Sequence, residues 1–539
     1  MRLPVWIWLV VLPLVGITLA PLLVVGASWI DPQPEVWQHL ASYVLPDVLL
    51  NTAILVLCVG GGVAVLGVGL AWVTVMCDFP GRAWFAPALV LPLAFPAYVL
   101  AFVHVGLMDF SGPIQTALRM LLGSQFSIPA VRSTAGASVV FCLAMYPYVY
   151  LLARQAFMTQ GMQSVQAAQT LGLSRVQAFW RVSIPMARPW IVAGVSLALM
   201  EVLADFGTVA IFNVDTFTTT IYKTWMGLFN LSAASQLASL LALTVLVLMG
   251  VEHSARARKR YGGDTRSTRG LRIPLRGAKA WLATMTCTIV LLVAFVVPMV
   301  QLLVWAFQVA EQDMDARYWG FVWHSLLLAA LSAALVLTAA LALGYAQRQA
   351  HGKRWPGPWI EPLVRTANLG YAVPGMVLAV GLFIPLAWLD TYWLAWAHAQ
   401  GWAQAPTLKG TVLVMALALA IRFMAVGFQP IASAMQRITP HQEQAARTLG
   451  LGHWASLWRL HLPLLRPGLL AATLLVFVEV MKEMPITLLT RPFGWDTLAV
   501  RIYEMTSEGM WDRAALPAVW VVAASLLPIA LLMRESEQP

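Results

Sequence analysis

The sequence predicts an all-α polytopic membrane protein of about 12 transmembrane helices, built as two tandem six-helix repeats, and three observations carry that prediction. Of its 539 residues 60% are hydrophobic and only 11% charged, whereas a soluble domain carries about 25% charged residues. The apolar residues are gathered into stretches of the length that a hydrocarbon core about 30 Å thick demands, roughly 20 residues each. Finally, one segment returns almost intact. Gln166-Ala167-Ala168-Gln169-Thr170-Leu171-Gly172-Leu173, followed by Trp180-Arg181, Pro185 and Arg188-Pro189, is answered by Gln444-Ala445-Ala446-Arg447-Thr448-Leu449-Gly450-Leu451, Trp458-Arg459, Pro463 and Arg466-Pro467, each pair separated by 278 residues. A constant offset of this kind marks an internal duplication.

The spans fall near 5–28, 49–76, 84–108, 134–156, 190–212 and 236–252, and again near 280–308, 323–347, 367–390, 411–430, 468–490 and 514–533. Val5 to Ser28 is apolar for longer than a signal-peptide core and lacks a small-residue cleavage site, so it reads as a retained first span. The segment His253 to Lys279 holds Arg256, Arg258, Lys259, Arg260, Arg266, Arg269, Arg272, Arg276 and Lys279 against a single acid, Asp264. Lysine and arginine near span ends mark the cytoplasmic side. Counting outward, both copies of the duplicated segment and both termini are expected in the cytoplasm. The stretch Trp29 to Asp47, with Asp31, Glu35 and Asp47 but no lysine or arginine, falls outside.

The same basic segment divides the chain into a first repeat at 1–252, a linker at 253–279 and a second repeat at 280–539, with the duplicated loops at about 157–189 and 434–467. Its Gly262-Gly263 and Thr265-Arg266-Ser267-Thr268 suit a flexible connector. The net charge of +10 resides between the spans rather than on a folded basic face, which argues against nucleic acid as a partner and leaves the lipid bilayer. The repeat extends to Asn51-Thr52 against His324-Ser325, and to Pro96 with Leu100-Ala101 against Pro374 with Leu378-Ala379. Prolines inside spans are candidate kinks, because neighbouring helices or cavity water must satisfy the carbonyl they free. Cys58, Cys77, Cys142 and Cys287 show no close pairing and read as small core hydrophobes, without a disulfide framework or thiolate metal site.

The span after each loop carries acids. The first copy reads Glu201-Val202-Leu203-Ala204-Asp205, the second Glu479-Val480-Met481-Lys482-Glu483. Four-residue spacing puts both acids of a copy on one face of a continuous helix. At about 1.5 Å per residue Glu201 lies roughly 16 Å in, close to mid-membrane. An ionised carboxylate there costs about 2.5 to 3.5 kcal/mol or more unless it faces water or a partner. Two roles follow: a transient cation path through Glu201, Asp205, Glu479 and Glu483, or structural ion pairs, with Lys482 beside Glu479 and an arginine such as Arg422 beside another acid.

The duplicated segment resembles the "EAA" loop of binding-protein-dependent ABC importer permeases, with Gln166 and Gln444 where that family usually carries Glu. Glutamine keeps the reach and the accepting oxygen without the charge. The resemblance implies type I importer permease repeats whose loops form coupling helices, with Gln166, Ala167, Ala168, Gly172, Gln444, Ala445, Ala446 and Gly450 at the ATPase contact. It also implies two copies of a separate ATPase subunit, a periplasmic substrate-binding protein and location in the bacterial inner membrane. The strings from Glu201 to Phe212 and from Glu479 to Leu489, the run from Arg491 to Glu504, and Tyr146-Pro147-Tyr148-Val149-Tyr150-Leu151-Leu152-Ala153-Arg154 are similar to the fused two-domain permeases of bacterial ferric-iron ABC importers. That resemblance implies Fe(III) as substrate; thiamine, a polyamine or a phosphonate are the alternatives within the class.

The chain has no Gly-x-x-x-x-Gly-Lys-Ser/Thr phosphate loop, nucleophile elbow or His-Cys cluster. It is therefore expected to be a transport subunit rather than an enzyme and to bind no cofactor, with ATP on its partner. The rival class is an ion-gradient-driven secondary transporter, in which the acids relay protons or sodium. Two matching loops distinguish the classes, since a secondary transporter has no ATPase to dock.

Overall fold

The computed structural model describes residues 5–257, 272–350, 357–402, 405 and 407–537. Among them 12 helices are long and apolar enough to cross a membrane, from Val5–Ile30 to Trp511–Ile529, and the fold is all-α as expected. One parallel pairing of two-residue strands, Cys77–Asp78 with Ile273–Pro274, is the exception, and it ties the end of the linker to the first repeat. Linker residues 258–271 lie outside the described residues; Arg272, Arg276 and Lys279 are exposed.

Two expected spans, the third of each repeat, are interrupted at a proline. Instead of one helix over 84–108, the chain forms a helix Arg82–Ala88, a 3-10 turn Leu91–Ala94 and a helix Ala97–Met108. The second repeat forms Gly357–Ala367, a 3-10 turn Leu369–Ala372 and Gly375–Ala399 in the same way. Pro96 and Pro374 stand at the N-caps of the long helices, with ψ of 142° and 141°. A residue without an N–H loses nothing there, since the N-terminal donors of a helix have no intrahelical acceptor. The prolines therefore start helices rather than kink them.

The chain folds into two compact units that cut across the sequence repeats: Met1–Pro34, Ile221–Ala242 and Met314–Arg501 form one, and Glu35–Thr220, Leu243–Asp313 and Ile502–Pro539 the other. In the former, helix Val5–Ala27 buries Ile7, Val11 and Val15, one helical stripe at i, i+4 spacing, against Leu343 and Ala346 and against Ile360 and Val364. A Cβ on Gly381 would lie 2.5 Å from the carbonyl oxygen of Pro21, so this contact requires glycine. Gln236 Nε2 donates to the carbonyls of Ser28 and Asp31, each at 2.9 Å. In the latter, Gly67 and Gly194 both approach Val149; added Cβ atoms would lie 2.6 and 2.8 Å from it. Small residues at such crossings let helices meet where lipid provides no hydrophobic drive. Phe102 stacks on Trp305 and Trp511, and the Tyr146 and Tyr150 hydroxyls donate to the carbonyls of Leu89 and Ala86 at 2.9 and 2.7 Å. The four cysteines are free: Cys77 and Cys287 are buried, Cys142 is intermediate, and Cys58 is exposed.

Candidate functional site

The two loops end their helices by the same device. In the first copy the N–H of Leu173 bonds the carbonyl of Ala168 at 3.1 Å and that of Gly172 bonds Gln169 at 3.0 Å. This pair of bonds requires a left-handed residue just past the helix end, and Gly172 has φ of 87°. The second copy shows the longer-range of these bonds, Leu451 N–H on Ala446 at 3.1 Å, with Gly450 at φ of 79°. The glycine of the motif is thus a backbone requirement, since a left-handed φ strains residues bearing a Cβ.

The same geometry divides the motif into an inner and an outer face. Ala168 and Ala446 are buried, the former with Val165 and Ala178 against Trp72 and Leu173. Gln166, Ala167, Gln444 and Ala445 are exposed, and Leu171 and Leu449 are 84% and 81% exposed. After each loop a π-helical turn occupies the same repeat position, Phe179–Ser183 and Leu457–His461, just before Pro185 and Pro463. Proline removes an N–H from the helical ladder, and the turn widens upstream of it.

The copies differ in how each loop is reached. Helix Thr134–Thr170 runs unbroken into the first. In the second repeat, helix Val412–Arg437 stops and a new helix Pro440–Thr448 begins. Thr439-Pro440 explains the break: the residue before a proline avoids helical backbone. Thr439 and Gln442 then cap each other, with Thr439 N–H on Gln442 Oε1 at 2.9 Å and Gln442 N–H on Thr439 Oγ1 at 3.4 Å. Glu443, one residue before the motif, accepts from Arg348 Nε at 2.9 Å and faces His461 Nε2 at 3.1 Å. Sequence reasoning missed this triad. Its one sequence signal was a glutamate where the first copy holds Val165.

The acids lie where the helices break. Helix Ile184–Ala204 ends at Asp205, whose backbone is extended at φ −71°, ψ 136°. The Asp205 carboxylate accepts from Thr208 N–H at 2.7 Å and Thr208 Oγ1 at 3.1 Å, capping the turn Gly207–Ile211. Glu483 repeats the arrangement after helix Leu462–Lys482. It accepts from Ile486 N–H at 3.0 Å, Thr487 N–H at 3.2 Å and Thr487 Oγ1 at 3.3 Å. The expectation of two acids on one continuous helical face is therefore corrected. An acidic side chain is a better partner for the free N–H groups of a following turn than one more residue of helix is.

Around these breaks the two copies diverge. Lys482 Nζ donates to Glu479 at 3.0 Å, the i, i+3 pair expected from sequence. Arg422 is 8% exposed, Glu483 is 6% exposed, and a Cβ on Gly375 would lie 3.2 Å from Arg422 Nη1 and 2.9 Å from Glu483 Oε1. The two charges thus lie within about 6 Å of each other, and a side chain at residue 375 would separate them. Arg422 also donates to the Val373 carbonyl at 3.2 Å, while its Nε is buried with no partner among the described residues. The first repeat holds Ala144 at that position, and Glu201 is half-buried. No three His, Cys, Asp or Glu side chains come together to hold a metal ion among the described residues. Outside these breaks, Asn51 Nδ2 donates to the Asp215 carbonyl at 3.1 Å, and His324 Nδ1 lies 3.1 Å from that of Asp496. The matched residues at 51 and 324 thus anchor matched turns.

Apolar helices duplicated in sequence, with a capped carboxylate where one span of each copy ends, are the architecture of a polytopic membrane protein. The chain belongs to the family of binding-protein-dependent transport system inner membrane components, whose model matches residues 63–251 and 343–534. It is 26% identical over 495 residues to the Fe(3+)-transport system permease protein FbpB 2 of Haemophilus influenzae, covering 91% of this chain and 90% of the relative. Shorter matches reach the sulfate transport system permease protein CysT of Salmonella typhimurium, 30% identical over 27% of this chain and 50% of the relative. The molybdenum transport system permease protein ModB of Escherichia coli is 31% identical over 27% of this chain and 62% of the relative. The protein is thus a multi-pass inner-membrane permease of binding-protein-dependent transport, and both repeats are copies of the family's domain.

Proposed function

We propose that this chain is the permease of an ATP-driven importer that moves Fe(III), delivered by a periplasmic binding protein, across the inner membrane by alternating access. The observation that carries the substrate is the extent of the match to the Fe(3+)-transport permease. It runs through both repeats, whereas the sulfate and molybdenum permeases match 27% of the chain. Fe(III) is a hard cation that suits oxygen donors, and Asp205 and Glu483 at the helix breaks, with Glu201 and Glu479 one turn before them, supply carboxylates for transient passage. A permease must release what it admits, so weak contacts serve it better than a closed metal site.

The loops around 164–173 and 442–451 serve as coupling helices, each presenting Gln, Ala and Leu to one of two ATPase subunits, with the loops and both termini in the cytoplasm. ATP closes the ATPases, the loops move together and the path opens outward; resetting admits the substrate. Replacing Gly172 and Gly450 together with valine tests this step. Uptake is expected to fall while ATP hydrolysis continues and the protein remains inserted; undiminished uptake sinks the role of the loops. The substrate is tested by uptake of radioactive Fe(III) into proteoliposomes with and without internal ATP, with thiamine, a polyamine, a phosphonate and sulfate in parallel. Accumulation driven by a proton or sodium gradient without ATP would instead indicate a secondary transporter. A second reading, import of an oxyanion, draws support from Arg422, a buried cation whose Nε–H has no partner among the described residues; sulfate or phosphonate uptake without iron uptake would establish it.

A further inference from the structure

We propose that Arg348, Glu443 and His461 form a proton-dependent clamp that holds the second loop, but not the first, to its own helices and so positions Gln444, Ala445 and Leu449. Arg348 Nη2 donates to the Ile438 carbonyl at 2.6 Å while its Nε donates to Glu443. One guanidinium therefore ties helix Ala316–Ala350 both to the break after helix Val412–Arg437 and to the loop helix Pro440–Thr448. His461 closes the arrangement from the π turn. It is 1% exposed, with Nε2 at 3.1 Å from Glu443 Oε1 and Nδ1 at 3.0 Å from the Ser456 carbonyl.

Both ring nitrogens thus face groups that only accept: an ionised carboxylate and a backbone carbonyl. A neutral imidazole has one N–H and can satisfy one of them; the doubly protonated ring satisfies both. The groups facing His461 and Glu443 are Arg348 and, edge-on at 5.2 Å, Tyr345 from helix Ala316–Ala350. Among the described side chains of the neighbouring elements, Arg437, His441, Arg459 and Arg466 are exposed. Burial pushes the Glu443 carboxyl up, but its hydrogen bonds and charge interactions with Arg348 and His461 outweigh that and hold it below its ordinary value. Glu443 therefore contributes fully above the unfolded carboxylate range, and its contribution disappears as pH falls through the depressed folded value. The clamp is therefore closed at neutral pH and opens on acidification, and that limb belongs to Glu443.

The first loop has no such device. Moving back 278 residues from 348, 443 and 461 leads to Leu70, Val165 and Ser183. Leu70 and Val165 are buried and apolar, and the Ser183 hydroxyl is buried with no partner among the described residues. Packing holds that loop, with Trp72 edge-on to Phe157 and Phe179. The two surfaces that resemble each other in sequence are therefore held by different physics, and only one of them titrates.

The clamp itself stands on geometry; its effect on coupling rests on the proposed ATPase contact. The test is amide hydrogen exchange of the full chain in lipid nanodiscs across a pH series, corrected for intrinsic exchange rates. Peptides within 440–461 are expected to lose protection as pH falls below the ordinary carboxylate range, by about tenfold for one lost charge-assisted hydrogen bond, while peptides within 162–183 stay level. Glu443→Gln keeps an accepting oxygen but cannot ionise, and the triple variant Arg348→Leu, Glu443→Val, His461→Ser installs the first loop's residues; both should give flat profiles. A pH-independent wild-type second loop, or equal responses in both loops, overturns the clamp without any variant having to fold. With the ATPase added, transport per ATP should follow the same acid limb in wild type and lose it in Glu443→Gln. A titrating loop whose coupling ratio ignores pH overturns the positioning role, and a titrating loop in a protein that no ATPase drives sinks the functional reading alone.

Discussion

Arg422 and Glu483 offer the most direct quantitative prediction. Both are more than 90% buried, and their charged ends lie within about 6 Å. At that separation and an effective dielectric constant near 20, the attraction is about 3 kcal/mol. Removing one member also leaves the other charge buried and uncompensated, which in other buried pairs costs about 3 to 5 kcal/mol. Arg422→Met and Glu483→Gln should each destabilise the protein by about that amount. The double variant should lose much less than the sum, because the uncompensated charge disappears with the second substitution. The assay is thermal or denaturant unfolding of the four proteins in one detergent, giving a coupling energy of about 2 to 4 kcal/mol. Additive single losses, or single losses below about 1 kcal/mol, would refute a coupled buried pair and leave Glu483 held by its backbone donors alone.

Four further outcomes follow from particular contacts. Gly381→Ala places a Cβ 2.5 Å from the Pro21 carbonyl oxygen, and the backbone shift required should cost about 1 to 3 kcal/mol, read as a lower unfolding temperature. Ser183→Ala removes a buried hydroxyl that has no partner among the described residues, so it should leave stability unchanged or raise it by up to about 1 kcal/mol; a clear loss would reveal a hidden partner. Gly450→Val forces a β-branched residue to φ of 79°, costing roughly 1 to 3 kcal/mol, while Gly452→Ala, with nothing within 4 Å of its Cβ and no positive φ, should be nearly neutral in the same unfolding assay. On acidification the second loop should keep its exchange protection through the ordinary carboxylate range and lose it only below, because Glu443 is held low; loss within the ordinary range would contradict the ion pair.

Much of the fold was legible because the bilayer imposes a local rule. Any span must be about 20 apolar residues long wherever it packs, so the 12 spans could be counted without knowing their neighbours. The helix end at Gly172 and Gly450 was legible for a similar reason, since a left-handed cap depends on a few adjacent residues. The interruption at Pro96 and Pro374 was half legible. Proline announced a disturbance, but whether it kinks a helix or starts one depends on the 3-10 turn before it.

The breaks at Asp205 and Glu483 were hidden, because Glu-x-x-x-Asp and Glu-x-x-x-Glu fit an unbroken helix equally well. What decided against it was the threonine and backbone N–H groups that each carboxylate caps, a competition with no sequence period. Sequence alone therefore determined the class of the protein, its duplication and the identity of its paired loops, all of which follow from composition, length and offset. Tertiary structure alone decided that the units would cut across the repeats, that Arg422 would lie beside Glu483, and that Glu443 would reach Arg348, 95 residues away. Hydrophobicity places a helix in the membrane without choosing its neighbours. Close approach at residues such as Gly381 and Gly375, and the cost of leaving a buried charge uncompensated, make that choice.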